Sequence, residues 1–460
     1  MRCDHVHKQS EEADKCLSCT CSCNLSHNRW IKTIFCALLN FVHIGFLYNF
    51  GLFFDELMQT FHSSAAITGW IGSLSYCFFT FGSILTTWML RHLSYRTVGM
   101  IGVLTGSVSL LVSSFSPTIV YVIVSYGVFF GWSSNVALVV TIETQVILYQ
   151  DKWRASALTM VGLGATIGNL SMSNLIEYVI QQIGWRWTFR IFALILLVVE
   201  TICCSFLASK KVCDHNIEDK DTKNKITKRE PTATRHVICW PEVWLFSIAT
   251  LSYCIAMVFH YVNMGSFFES IGLVDQMSAT GIMLMALGDA SAKILIIFAA
   301  PCIVIPLIYT LPVCILVSAI MSLALTWTRN PIVIFVLSFC TGLPRGVYNA
   351  LQFPSGLEIF GTNKSKTTVN VLHIWNGLGS LVGPFIFGSL YDASGTYYLA
   401  LYLCSALYVL SCITMLLTPL YQKYFAPSRY LVDTKKKNVA EIYHNLAIEY
   451  VYLEEKITVV

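Results

Sequence analysis

Charge is what this sequence has least of. Only 12% of its 460 residues are Asp, Glu, Lys or Arg, where soluble domains average about a quarter. With 55% hydrophobic residues and a mean hydropathy of +0.63, there is too little polar surface to wrap a water-soluble globule. The class that fits is a polytopic membrane protein. Enzyme signatures are missing as well. The chain has no H-E-x-x-H, no G-x-S-x-G and no G-x-x-x-x-G-K-[ST], so neither an enzyme nor a nucleotide-driven pump is expected. No cofactor, resident metal or nucleic-acid partner is expected either. A cleavable leader is not expected, because the first 29 residues are polar and Cys-rich and the first apolar run is too long for a signal h-region.

What the chain has instead is apolar runs. Twelve stretches approach the roughly 20 mostly apolar residues of a membrane span. They are 30–54, 67–90, 97–115, 118–142, 155–178 and 188–207, then 242–265, 279–300, 306–327, 331–351, 367–390 and 397–420. The cut between the eighth and ninth rests on Pro301 and Pro306. Lys and Arg orient the spans. With both tails in the cytoplasm, inside segments hold 24 of the 30, and outside segments hold only Arg186, Arg190 and Arg329. Lys32, Lys293 and Arg345 fall within spans or at their edges. Five of the 17 cysteines lie in the N-tail, and none lies in an outside segment, so no extracellular disulfide framework is implied. The sequons at Asn24, Asn169 and Asn363 fall in the cytoplasm or in a span, which predicts no N-glycan.

The spans repeat. "NFGLFFDE" (Asn49 to Glu56) ends span 1 and "NMGSFFES" (Asn263 to Ser270) ends span 7, an offset of 214 residues that also carries Lys152 onto Lys366. The fold expected is an all-α membrane protein of twelve transmembrane helices in two pseudo-symmetric six-helix halves, the major facilitator architecture, with a substrate site near the bilayer midplane. Its parts are a Cys-rich N-tail (1–29), an N-terminal half (30–207), a charged linker (208–241), a C-terminal half (242–420) and a C-tail (421–460).

"MALGDASAKILIIFA" (Met285 to Ala299) sets Asp289 and Lys293 one helical turn apart inside span 8. Each charge at the bilayer centre costs about 2.5–3.5 kcal/mol on insertion scales, and spacing of four residues puts both on one face. An inert ion pair is the bland alternative, but intramembrane ionisable groups usually mark a pathway. Arg345 in span 10 needs a partner or water. Tyr48 and His260 lie beside the repeated segments. His43, Asn49, Asn263, Asn349, Asn370, His373 and Asn376 read as interhelical hydrogen bonds. Glu143, Glu177 and Glu200 fall near span ends and read as interfacial. Gly164 with Gly168, and Gly379 with Gly383, have the spacing that lets helices approach closely.

Several stretches resemble the monocarboxylate transporter family, carriers of lactate, pyruvate and related acids. "YQDKWRASA" (Tyr149 to Ala157) is similar to that family's Y-F-x-K-R-R-x-x-A. "GWR" (Gly184 to Arg186) recurs before span 6, and "FGLFF" fits F-G-V-F-F in span 1. "GPFIFGSLYDASGTYY" (Gly383 to Tyr398) is close to G-P-P-x-A-G-x-L-Y-D-x-T-G-x-Y and is the most specific match. The sequence departs from the family at three places. The acid-G-G-W-G-W motif is reduced to "LSHNRW". Tyr48 stands where the best-characterised carriers have Lys. Lys293 follows Asp289 where they have Arg.

The resemblance implies a secondary active or facilitative transporter of a small organic anion, a monocarboxylate, with proton symport by alternating access. In it Lys293 holds the carboxylate and Asp289 takes the proton. Tyr48, His260 and Arg345, singled out above by charge and position, are the further substrate- and proton-binding candidates, and the resemblance implies that Lys152 and Arg154 form a gating or folding motif. The altered span 1 cation keeps an uncoupled carrier of aromatic amino acids or other bulky solutes open, and behind it a non-transporting sensor. The partners implied are an organic acid, protons, the lipid bilayer and a single-span immunoglobulin-like ancillary subunit. The location implied is the plasma membrane. "KCLSCTCSC" (Lys15 to Cys23) reads as a tail of reduced thiols, with soft-metal binding or palmitoylation as alternatives. "YHNL", "YVYL" and the terminal "TVV" suggest trafficking.

Overall fold

The computed structural model describes residues 29–207, 240–273, 275–303 and 306–427. The cysteine cluster of the N-tail, the linker from 208 to 239 and the sorting patterns of the C-tail lie outside the described residues. Within them, eleven helices are long and apolar enough to cross a membrane. One of these, Arg154–Ser205, is 52 residues long and broken at Gly184 (φ 79°, ψ 163°), a conformation glycine adopts without a Cβ clash. It therefore supplies two spans, and the total is twelve.

The spans are α1 Arg29–Tyr48, α2 Ile67–His92, α3 Tyr95–Ser114, α4 Ile119–Leu148, α5 (154–183), α6 (185–205), α7 Pro241–Val262, α8 Gln276–Cys302, α9 Leu307–Ala324, α10 Pro331–Phe360, α11 Ser365–Ser394 and α12 Tyr398–Phe425. The break expected near Pro301 and Pro306 is present: a 3₁₀ turn, Ala300–Cys302, ends α8, and Pro306 caps α9. Helix α10 runs nine residues beyond the expected end at 351. Pro344 and Pro354 lie inside it, as neighbouring helices in a membrane protein permit.

The repeated motif marks the same event twice. After α1 the chain leaves the helix at Asn49, makes a 3₁₀ turn (Phe50–Phe53) and starts a short helix, Phe54–Phe61. After α7 it leaves at Asn263 and starts the short helix Met264–Ser270.

The chain divides into two compact units, Met1–Ile226 with Ala290–Pro301, and Thr227–Asp289 with Cys302–Val460. In the first, α2 packs on α4, and α3 packs on α4 and on the 154–205 helix. In the second, α7 packs on α11 and α12, and α9 on α10 and α12. The glycine pairs do what their spacing suggests. A Cβ at Gly164 or Gly168 would collide with the Ala37 or Phe41 carbonyl oxygen of α1. A Cβ at Gly379 would lie 2.7 Å from the Cys254 Cβ, and one at Gly383 3.3 Å from the Val258 Cβ, both in α7. These pairs stand 215 residues apart, so each unit uses glycines to seat its fifth span on its first.

Aromatic rings fill the first core. Phe46 packs on Phe53, Phe130 and Phe192, and Tyr126 lies between Phe130 and Phe189. In the second, Tyr253 stacks on Tyr348 at 3.4 Å beside Tyr408. Large apolar side chains such as Leu295, Phe298, Trp327 and Phe385 are more than half exposed, as lipid-facing positions of an integral membrane protein should be.

Candidate functional site

The candidate site grows from one tight crossing in the second unit. Gly288 of α8 and Gly342 of α10 face each other. A Cβ on Gly288 would collide with the Phe339 carbonyl oxygen, and one on Gly342 with that of Met285. Only glycine at both places lets the two backbones come this close. The residue after Gly288 is Asp289. Three residues after Gly342, nearly a full turn, is Arg345. The crossing thus brings the two charged side chains together.

Arg345 Nε lies 3.6 Å from Asp289 Oδ1, with the two side chains 8% and 4% exposed. Arg345 Nη2 donates to the Met285 carbonyl at 3.4 Å, and its guanidinium sits 4.5 Å from the centre of the Tyr261 ring. A carbonyl, a carboxylate and a π-face therefore surround one cation. In a low-dielectric interior, a guanidinium so placed can exchange one carboxylate for another but cannot be left without an anion cheaply.

The other expected residues are placed as follows. Lys293 continues along α8, is 6% exposed, and donates from Nζ to Thr166 Oγ1 at 2.6 Å. His260 is buried, and both its nitrogens are engaged. Nδ1–H donates to the Ala256 carbonyl at 3.1 Å, and Nε2 shares a hydrogen bond with the Ser322 hydroxyl at 3.3 Å. Tyr48 is 47% exposed, its ring edge-on to Phe79 at 6.4 Å. Arg154 Nε donates to the Tyr149 carbonyl at 2.6 Å and closes the turn before α5, while Lys152 is exposed over the Trp153 ring. These two shape the α4–α5 turn and are not part of the α8–α10 crossing.

Two sequence expectations are corrected. Glu143 and Glu200, read as interfacial, are 2% and 0% exposed. Hydropathy gives no warning for Glu200, because a single acid near the end of an apolar window does not reveal which face it occupies. Its partner, His43, is 157 residues away in sequence. Tyr261 escapes a reading of the sequence because tyrosines at span ends are common in membrane helices and carry no signal alone. Among the described residues, no three His, Cys, Asp or Glu side chains converge as a metal ion would require.

The family profile described as Major Facilitator Superfamily matches residues 36–305. Among curated proteins, the chain is similar to Monocarboxylate transporter 3 of Gallus gallus, 24% identical over 434 residues that cover 84% of this chain and 77% of that protein. Human Monocarboxylate transporter 7 is 22% identical over 440 residues, covering 81% and 82%. Among solved structures, the proton:xylose symporter XylE bound to 6-bromo-6-deoxy-D-glucose superposes with a TM-score of 0.67 at 12% identity, covering 87% of this chain and 96% of that one. The E. coli fucose:proton symporter FucP gives 0.64 at 12% identity, covering 84% and 98%. At such identities the solved structures speak to the fold alone.

Proposed function

The chain belongs to the Major Facilitator Superfamily and is a membrane transporter, and we propose that its cargo is a small monocarboxylate moved together with a proton. The observation that carries this reading is the buried Asp289–Arg345 pair at the glycine crossing. While Asp289 is ionised it occupies the guanidinium. A proton neutralises it, and the substrate carboxylate then takes its place on Arg345. Proton and anion enter as one neutral load, which keeps the desolvation cost of moving them low. Lys293, one turn further along α8, is a carboxylate-binding candidate in its own right, and a lysine reads the shape of an anion less strictly than a planar guanidinium would. Exposure of the site to the two sides of the membrane in alternation completes the cycle.

A second reading keeps the site and changes the cargo. Tyr48 is half exposed where the resembled carriers have Lys, and the Tyr261 ring already faces Arg345. Both favour a bulkier aromatic acid or amino acid, carried without a proton. The Lys and Arg asymmetry supports cytoplasmic termini. The family resemblance extends the proposal to the plasma membrane and to a single-span immunoglobulin-like helper, which co-purification from native membranes would test.

The deciding experiment is a screen of labelled short-chain acids, aromatic acids and amino acids in proteoliposomes, with and without a pH gradient. Uptake of a short monocarboxylate that rises with external acid supports the first reading. Gradient-independent uptake confined to aromatic solutes replaces it with the second.

A further inference from the structure

Four of the five groups that act on Arg345 are buried. They are the Met285 carbonyl and the Asp289 carboxylate of α8, and the phenols of Tyr253 in α7 and Tyr408 in α12. The fifth is the Tyr261 ring, whose centre lies 4.5 Å from the guanidinium. Tyr261 is 53% exposed. Among these described neighbours, Tyr261 alone stands between the buried cation and open space.

Helix α10 holds that ring at two points. Arg345 lies against its face. Asn349, one turn further along α10, shares a hydrogen bond with the Tyr261 hydroxyl. Residues four apart lie on the same face of a helix, so the cation and the amide reach one ring together. The ring quadrupole attracts the guanidinium, and more strongly where the cation is shielded from water. The hydrogen bond then fixes the direction in which the ring points.

The backbone beneath the ring is less restrained than the clamp above it. Tyr261 belongs to the last turn of α7, and the chain leaves that helix at Asn263 before the short helix Met264–Ser270 begins. Helix ends are where local opening costs least. A residue there can turn its side chain without disturbing the Gly288–Gly342 crossing.

We propose that Tyr261 is the gate of the Arg345 site and that Asn349 positions it shut. A carboxylate reaches the guanidinium when the ring swings off the cation and gives up its bond to Asn349. The ring returns when the anion leaves. This rests on the reading of Arg345 as the anion site, and it adds the side from which the anion arrives and the residue that it must pass.

The test is reaction of the full-length protein in detergent micelles with phenylglyoxal, a neutral reagent that modifies arginine. Mass spectrometry of the digest reads the rate at Arg345 against that at Arg96, which is exposed at the start of α3. With a ring that opens and closes fast, the Arg345 rate is proportional to the open fraction. In wild type Arg345 should react far more slowly than Arg96. Tyr261→Phe and Asn349→Leu remove opposite ends of one hydrogen bond, so each should raise the Arg345 rate about fivefold. The double variant should raise it no further. Tyr261→Ala also removes the ring and should add another factor of about five or more. Cys404, buried beside α7, should stay unreactive to maleimide in every variant, which separates an open gate from an unfolded chain.

A wild-type Arg345 as reactive as Arg96, or a rate unmoved by Tyr261→Ala, overturns the gate. Effects of Tyr261→Phe and Asn349→Leu that multiply in the double variant overturn the part given to Asn349. The reagent reads access to Arg345 whatever the cargo. An unchanged rate beside gradient-driven uptake would therefore remove the gate and leave the transport reading standing, and faster modification without carboxylate uptake would do the reverse.

Discussion

Consider removing Arg345 by substitution to Met, which keeps the length of the side chain and deletes its charge. Asp289 remains on α8, 4% exposed, with the Arg345 charge gone. At 3.6 Å and an effective dielectric of about 20, the lost attraction is about 4–5 kcal/mol. The cost of breaking a buried pair from one side, about 3–5 kcal/mol, falls in the same range. Asp289→Asn should cost a similar amount from the other side, because it strands the guanidinium. The double variant should cost far less than the sum, since it leaves neither charge behind, and a coupling energy of about 2–4 kcal/mol is expected. Denaturation of the four proteins in micelles, read by tryptophan fluorescence, measures that cycle. Additivity within about 0.5 kcal/mol would mean that the two groups do not act on each other, and the site as drawn would be wrong.

Other outcomes follow from single contacts. Gly168→Leu should destabilise by about 1–3 kcal/mol or more, because its Cβ meets the Phe41 carbonyl, whereas Gly162→Ala, with open space around it, should leave the melting temperature within about a degree. Lys293→Arg should retain uptake and Lys293→Ala should raise KM at least severalfold; equal KM values for the two would remove Lys293 from anion binding. His260→Gln should leave the pH response of uptake unchanged, since both imidazole nitrogens are already committed to Ala256 and Ser322. A lost pH response would instead make His260 a proton carrier.

Apolar run length and cation placement made the membrane fold legible, because both are properties of composition along the chain. The repeated Asn-x-Gly segment was legible for the same reason and proved to mark a helix break in each unit. The site was half legible. Asp289 and Lys293 stood out as charges in a run without others, and Arg345 as a charge needing company. That Arg345 is the partner of Asp289 depends on the Gly288–Gly342 approach, and glycines at two places 54 residues apart say nothing about each other until the helices are packed. Glu200 is misread for a related reason: hydropathy averages over a helix and discards direction, while burial of an acid depends on which neighbour lies opposite.

The coupling of proton and anion at the α8–α10 crossing is tested most directly by one comparison in proteoliposomes. Uptake of a labelled monocarboxylate is followed with an inward proton gradient for wild type, Asp289→Asn and Arg345→Ala. Wild-type uptake should rise with the gradient, Asp289→Asn should exchange anion without responding to it, and Arg345→Ala should not transport. Gradient-driven uptake that persists in Asp289→Asn, or full uptake by Arg345→Ala, would contradict the mechanism.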